Sequence, residues 1–480
     1  MKNLATNIRI TVILALLMTV VLSCKKSFLE IAPKGKLIAQ KVSDYNLLLS
    51  NLDLVNISAN AQVPMGDEVV AVEPYFSGAE LKVQRLFRWD DVVYEPDENA
   101  SETAVPLQNI YTFNKIINEV PNATDGTEQQ KLSIQAEAMA SRAWTYFLLI
   151  NYFGKPYNTT TSATDLGFPI VKEADVTAIK FTRATVQEVY DFILADLLAA
   201  IPNLPEKTTH RLRMSKPAAE GLLGKVYVFM GKFNEAIPHF DAALNGIKNS
   251  AIPVQLYDYN VTFATGGDFL PIDLFGPTYP TVPNNLENVF GKQAFNNWSF
   301  TNNELVVDKK TADLYTADDL RLNFYSTEAF FGPAYPSGLL RKIGPGSIQF
   351  GVVVPDLYLL RAECRARAND LPGATADVEA LRSKRMPAGS FAVPTAIAAQ
   401  KMPLLNYIMD ERLREFALSG YRWFDMRRLS VDPLFGTKTF THTLYSATGS
   451  KTTFTFRPER FVLRFPEKVI NENPGMQNNP

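Results

Sequence analysis

Residues 215–244, SKPAAEGLLGKVYVFMGKFNEAIPHFDAAL, constrain the fold more than any other stretch, because apolar positions recur at helical spacing on both sides of a glycine. Ser215 suits an N-cap and Pro217 a first turn, where its missing N–H forfeits no bond. Ala218, Leu222, Val226 and Phe229 then make one buried face. Gly231 can take the left-handed conformation that ends a helix, and Phe233, Ala236, Phe240, Ala243 and Leu244 form the facing stripe of a second helix. A hairpin of this kind cannot bury its apolar face alone, so its neighbours must be helices stacked in the same manner.

The spacing of Leu223, Gly224, Tyr227, Gly231, Phe233, Ala236, Phe240, Ala243 and Leu244 resembles the tetratricopeptide repeat, with Glu220 in place of the usual Trp and Pro238 inside the second helix. A weaker copy lies at 358–385, where Ala362 stands for Gly224, Asn369 for Gly231, and Leu371, Ala374, Val378 and Leu381 continue the stripe. The fold class expected is therefore mainly α, a scaffold of tetratricopeptide-like hairpins.

At the N-terminus Lys2 and Arg9 precede an apolar run, 10–22, that is too short to span a bilayer comfortably and reads as an export signal over 1–23. Val21-Leu22-Ser23-Cys24 resembles a bacterial lipobox, which makes Cys24 the lipidated residue and 24–36 a tether. Each buried methylene contributes roughly 0.8 kcal/mol, so two or more acyl chains would anchor a water-soluble body to a membrane. Cys364 lies in a helical stripe and reads as a small core residue; with Cys24 lipidated, no disulfide is possible. A net charge of −2 gives no basic surface for nucleic acid.

Along the chain, 37–51 begins helical, and 54–98, rich in acids and aromatics, reads as long surface loops and a candidate binding region. Helices follow at 107–120, 128–153 and 185–201, with Asp196 expected to face outward. Regularity fades over 251–351 apart from a helical stripe at 311–320, so this stretch reads as a loop-rich, partly β subdomain on the scaffold. The regions 37–250 and 352–480 are expected to form one continuous fold. Residues 405–429 read as one charged helical stretch, and the tail from 439 mixes β-like runs with turns.

The run 410–428, DERLREFALSGYRWFDMRR, resembles the C-terminal signature of the SusD/RagB family of Bacteroidetes outer-membrane lipoproteins. Four other places are similar to that family: 23–30 (SCKKSFLE), 142–154 (RAWTYF followed by YFG), 358–363 (YLLRAE) and the ending from Phe465 to Asn478. The resemblance implies a helical tetratricopeptide-like scaffold carrying a ligand site on loops. It also implies a place over a SusC-like TonB-dependent transporter, to which an oligosaccharide, or in some branches a peptide, is delivered. The family's sugar-binding aromatics are not part of these signatures. Lys25-Lys26 stands where an acidic stretch would signal transfer to the cell exterior, and a location facing the exterior is the expectation.

Glu411 and Glu415 lie four apart on one helix face and could be taken for a paired-carboxylate site. Arg412, Arg414, Arg422 and Arg428 stand close by, so Glu411, Arg412, Glu415, Arg422, Trp423, Asp425 and Arg428 read instead as a structural ion-pair motif on a buried stripe of Met409, Leu413, Phe416, Gly420 and Trp423. His210, His239 and His442 lack neighbours at metal-ligand spacing, no phosphate loop or nucleophile elbow is present, and Asp90-Asp91 reads as a solvated loop. No enzyme activity, metal or cofactor is implied. For binding, flat aromatic faces suit sugar rings and flanking amides suit hydroxyls. Trp144 and Trp423 read as core, whereas Trp298, beside Asn296 and Asn297, together with Trp89 and Tyr75, are the candidate ligand platforms. A peptide-binding member, a periplasm-facing tetratricopeptide scaffold and a glycoside hydrolase are the competing readings.

Overall fold

The computed structural model describes residues 39–57, 59–177, 180–273, 279–295, 302–345 and 347–480. The signal and Cys24 lie outside them, as does Trp298. Among the described residues, eleven helices have eight residues or more: α1 (Val42–Leu49), α2 (Leu81–Arg88), α3 (Ser101–Glu119), α4 (Glu128–Phe153), α5 (Val186–Ala200), α6 (Lys216–Phe229), α7 (Phe233–Ile247), α8 (Val354–Arg367), α9 (Leu371–Arg382), α10 (Lys401–Phe416) and α11 (Tyr421–Ser430). The protein is thus mainly α, and no described helix is long and apolar enough to cross a membrane.

Local chemistry sets the helix ends. Thr127 and Gln130 cap α4 reciprocally, the Gln130 N–H donating to Thr127 Oγ1 at 3.2 Å and the Thr127 N–H to Gln130 Oε1 at 2.8 Å; Thr185 and Glu188 do the same for α5. Gly231 at φ +73 turns α6 into α7, and Asn369 at φ +66 performs the equivalent turn between α8 and α9. The two hairpins therefore share a left-handed link although only one uses glycine. Gly224 is small for a packing reason, since a Cβ there would come within 2.9 Å of the Phe240 ring. Helices α3 to α10 pack largely on their sequence neighbours, and α8 also reaches α6, α7 and α10. Their inward faces form one large core that includes Ile193, Leu222, Phe240, Leu360 and Trp423.

Several expectations need correction. Asp196 is buried and bonds the Arg142 guanidinium at 2.8 Å, because α5 packs its polar position against α4. The stretch 405–429 forms two helices: α10 stops at Phe416, and Leu418 at φ +55 with Gly420 at φ +80 reverses the chain before α11. Of 311–320, the end of the short helix Lys309–Ala312 and the start of the 3₁₀ turn Leu320–Phe324 are the helical parts. Much of 54–98 is interior rather than surface, with Val63, Met65, Val69, Phe87 and Trp89 all buried.

That interior passage carries β1 (Val69–Val72). The loop-rich region supplies β2 (Asn288–Phe290), β3 (Gln293–Phe295), β4 (Leu305–Val307), β5 (Tyr325–Ser326), β6 (Arg341–Lys342) and β7 (Ser347–Gln349); β8 (Val352–Val353) follows directly after it and leads into α8, and the tail supplies β9 (Thr441–Tyr445) and β10 (Lys451–Thr455). One mixed sheet has the order β10-β9-β1-β4, with Val70 opposite Val306 in the antiparallel pair and Ala71 opposite Leu444 in the parallel one. Alternation along the strand then sorts side chains. Val69 and Ala71 join the main core, whereas Val70, Val72 and Val306 face a separate small cluster on the outer side.

Candidate ligand-binding site

The outer side of the small sheet is the place where the fold raises aromatic rings toward solvent. Val70, Val72 and Val306 form its floor, and the β5–β6 hairpin folds over them with Ala329, Tyr335 and Leu339; Tyr75 and Tyr445, partly buried, pack at the edge. Tyr75 meets Tyr335 edge to face with centroids 6.4 Å apart. Gly332 permits this approach, because a Cβ there would lie 2.3 Å from the Tyr75 hydroxyl.

Asn303 holds the hairpin tip. Its Oδ1 accepts the Phe330 N–H at 2.7 Å, its Nδ2 donates to the Phe330 carbonyl at 3.1 Å, and its own carbonyl accepts the Tyr335 hydroxyl at 3.1 Å. The next residue, Phe331, is held at φ +51 and is 91% exposed. A bulky side chain in the left-handed region costs about 1–3 kcal/mol. This ring buries almost nothing in return, beyond lying 4.2 Å from the Phe330 ring centre. Across the sheet, Lys451 stands 5.0 Å from the centre of the Tyr445 ring. The result is an aromatic rim of Tyr75, Phe331 and Tyr445 with amide and ammonium groups beside it, a surface that can stack on a flat ligand and bond its polar edge.

The sequence candidates fall in different places. Tyr75 belongs to the rim. Trp89 is buried: its ring stacks on His442 at 3.7 Å and its Nε1 donates to the Met65 carbonyl at 3.1 Å, which leaves no face open to a ligand. His442 sits with Nδ1 2.6 Å from the Phe87 carbonyl and Nε2 2.7 Å from that of Gly66. Trp144 and Trp423 are buried. Phe331, Asn303 and Tyr445 were not expected from sequence; the doublet Phe330-Phe331 before Gly332-Pro333 is the one signal that could have pointed to the hairpin tip.

The charged motif forms two buried lattices between α8, α9, α10 and α11. In the first, Glu411 accepts from Arg321 at 2.8 Å, Arg382 at 2.9 Å and Arg414 at 2.8 Å, while Glu415 pairs with Arg385 at 2.7 Å and Arg321 at 3.0 Å. Asp319 and Glu287 complete it, matching four guanidiniums to four carboxylates. In the second, Arg412 bridges Asp356 at 2.8 Å and Asp425 at 2.7 Å, and Arg428 bridges Asp425 at 2.8 Å and Glu363 at 2.7 Å. Arg422 reaches out to Asp67 at 3.0 Å. Burial alone would raise the Glu411 carboxyl, but Arg321, Arg414 and Arg382 outweigh it and hold the group well below the usual carboxylate range. An acid so fully ionised and surrounded is unsuited to proton transfer. Cys364 is likewise buried, and burial pushes its thiol well up.

Comparison with known proteins places this geometry. Residues 36–228 match the family described as starch-binding and associating with the outer membrane, and residues 355–480 match the SusD family. SusD-like protein P2 of Formosa agariphila is 28% identical over 173 residues, 35% of this chain and 32% of that relative's length. A SusD superfamily protein from Bacteroides thetaiotaomicron superposes with a TM-score of 0.70 at 19% identity, covering 92% of this chain and 100% of its own. One from Bacteroides fragilis gives 0.71 at 17% identity, with the same 92% and 100% coverage. A SusD-like carbohydrate binding protein from Bacteroides vulgatus gives 0.65 at 17% identity, covering 91% of this chain and 99% of its own. With the motif at 410–428 at the junction of α10 and α11 and both family profiles matched in order, the chain belongs to the SusD/RagB family.

Proposed function

We propose that the protein is a non-enzymatic, lipid-anchored binding protein of the outer membrane, facing the cell exterior through Cys24, which captures an oligosaccharide on the rim of Tyr75, Phe331 and Tyr445 and hands it to a SusC-like TonB-dependent transporter. In this reading 37–250 and 352–480 form the scaffold, and 251–351 is the subdomain that carries the hairpin tip; Trp298, in the same region, is a further candidate contact. The observation that carries the reading is Phe331, a ring 91% exposed on a left-handed backbone next to Phe330, which Asn303 clamps. Strain without burial is retained where a ligand makes use of it. The family profile described as starch-binding supports carbohydrate as the ligand class.

The test is binding of the chain from residue 25 onward to an array of glycans and peptides, repeated with Phe331→Ala. Capture of one glycan class without release of reducing ends, lost in the variant, is the expected result. Peptide binding alone would replace the ligand class, and cleavage of the glycan would replace the whole reading. On intact cells, protection of the protein from added protease would place it on the periplasmic side and remove the hand-over.

A further inference from the structure

At its base the β5–β6 hairpin, whose tip carries Phe331, closes over a cavity of about 120 Å³. By the measure in which one buried water needs ~10–15 Å³, this is room for a single ring with its substituents. Tyr259, Phe269 and Phe324 form one wall, with Tyr259 and Phe324 centroids 5.6 Å apart and Phe269 and Phe324 5.9 Å apart. The remaining lining mixes apolar groups, Pro280, Ile348 and Val353 among them, with Lys342 and the paired lattice members Arg321, Arg414, Glu287 and Glu415.

Asn288 is fully buried; its Nδ2 donates to the Val282 carbonyl at 3.0 Å and to Gln349 Oε1 at 2.6 Å, but its Oδ1 has no partner among the described residues. Tyr279 also has a hydroxyl without a partner among the described residues; like Asn288 Oδ1 it is closed off from the open space of the cavity. Gly344, two residues beyond Lys342, lets that phenol lie against the chain, since a Cβ there would come within 2.8 Å of it. Lys342 itself donates to the Ala417 carbonyl at 2.8 Å and to Ser419 Oγ at 2.7 Å, both neutral.

The neighbouring lattice cannot neutralise this ammonium. Arg321, Arg382, Arg385 and Arg414 already match Asp319, Glu287, Glu411 and Glu415, and no described carboxylate lies within ion-pairing distance of Lys342. Burial draws its pKa down to about 8, and Glu415 and Glu68 act on it only from a distance, so it is a cation that lacks its anion. An aromatic wall and an unpaired ammonium together describe one ligand chemistry, a flat-faced ring that carries an anion.

We propose that this cavity binds a single carboxylate-bearing sugar ring, its face on the aromatic wall and its carboxylate on Lys342. The proposal rests on the carbohydrate reading above in naming the ring a sugar; the cavity and its unpaired cation stand apart from it.

Glucuronate, glucose and benzoate are the probes, titrated calorimetrically into the chain from residue 25 onward. Glucuronate is expected to bind at least tenfold more tightly than glucose, and Lys342→Met to abolish that preference. Lys342→Arg, which keeps the charge, is expected to retain the preference. Equal affinity for glucuronate and glucose, a preference that survives Lys342→Met, or one that Lys342→Arg abolishes would overturn the proposal, and benzoate bound as tightly as glucuronate would remove the sugar from it.

Discussion

The charge lattices around α10 and α11 and the aromatic rim over β1 are opposites in construction. In the lattices, Glu411, Glu415, Asp425 and Arg428 are buried or nearly so and each has several charged partners. On the rim, Phe331 is almost wholly in solvent, and it is the backbone of its neighbour Phe330 that bonds the Asn303 side chain. Buried ions tolerate no loss of a partner, because an unmatched charge cannot return to water. An exposed ring can be removed without disturbing what lies beneath it. The lattices therefore specify how helices dock, and the rim is free to be specified by a ligand.

The sharpest way to break this contrast is acid. Asp425, Glu411, Glu363 and Asp356 are all held below their ordinary range in the folded protein, burial opposing and the paired arginines, with Lys225 for Asp356, prevailing. Their contribution is fully present above the unfolded carboxylate pKa, about 4.5 for Glu and 3.8 for Asp, and is lost as pH falls below it, since the unfolded chain then binds protons that the folded one does not. Denaturant unfolding is expected to show stability dropping steeply below pH ~4.5, by several kcal/mol in all. Glu68 acts in the opposite sense: burial and then Asp67 raise it to about 8, so what it contributes is lost as pH rises through 8. Flat stability from pH 3 to 7 would show that the lattices do not brace the fold.

Next in size is Glu411→Gln. It leaves Arg321, Arg382 and Arg414 short of one charge in the interior, and breaking a buried ion pair costs about 3–5 kcal/mol. Urea midpoints should fall accordingly, while the affinity of the molecules that remain folded should match the parent. Weaker binding by a fully folded variant would move this lattice from scaffold to site.

The same contrast explains what could be read before the structure. Helix hairpins follow from spacing, and the tight turn at Asn369 could be placed because its partner Gly231 occupies the same register in the first hairpin. The motif at 410–428 was legible because its charges are contiguous, although the reversal at Leu418 was hidden by residues that are equally compatible with one continuous helix. Trp89 illustrates the opposite failure: next to Asp90-Asp91 it has the composition of a loop, yet a pairing with His442, some 350 residues away, draws it inside. The rim was least legible. Tyr75, Asn303, Phe331 and Tyr445 come to the same side of the sheet only after β1 has paired with β4 and β9, and no spacing along the chain records that pairing.

On the rim the expected effects are on ligand rather than fold. Phe331→Ala should leave the melting temperature within a degree or two and lower glycan affinity about tenfold or more, the size expected when a central aromatic contact is truncated. A variant that binds like the parent would take Phe331 out of the site, leaving Tyr75 and Tyr445 as the candidates to alter next.

The smallest effect separates strain from contact. Phe331→Gly removes the same ring but also relieves the left-handed backbone at φ +51, which glycine adopts freely. Because the native ring buries little, the relief is offset only by the greater freedom of a glycine in the unfolded chain. The expected outcome is a protein as stable as the Phe331→Ala variant or up to about 1 kcal/mol more stable, with the same loss of affinity. If glycine is instead clearly the less stable of the two, the turn at Phe330-Phe331 is not strained. The asparagine clamp would then be ordinary loop packing, and the case for Phe331 would rest on its exposure alone.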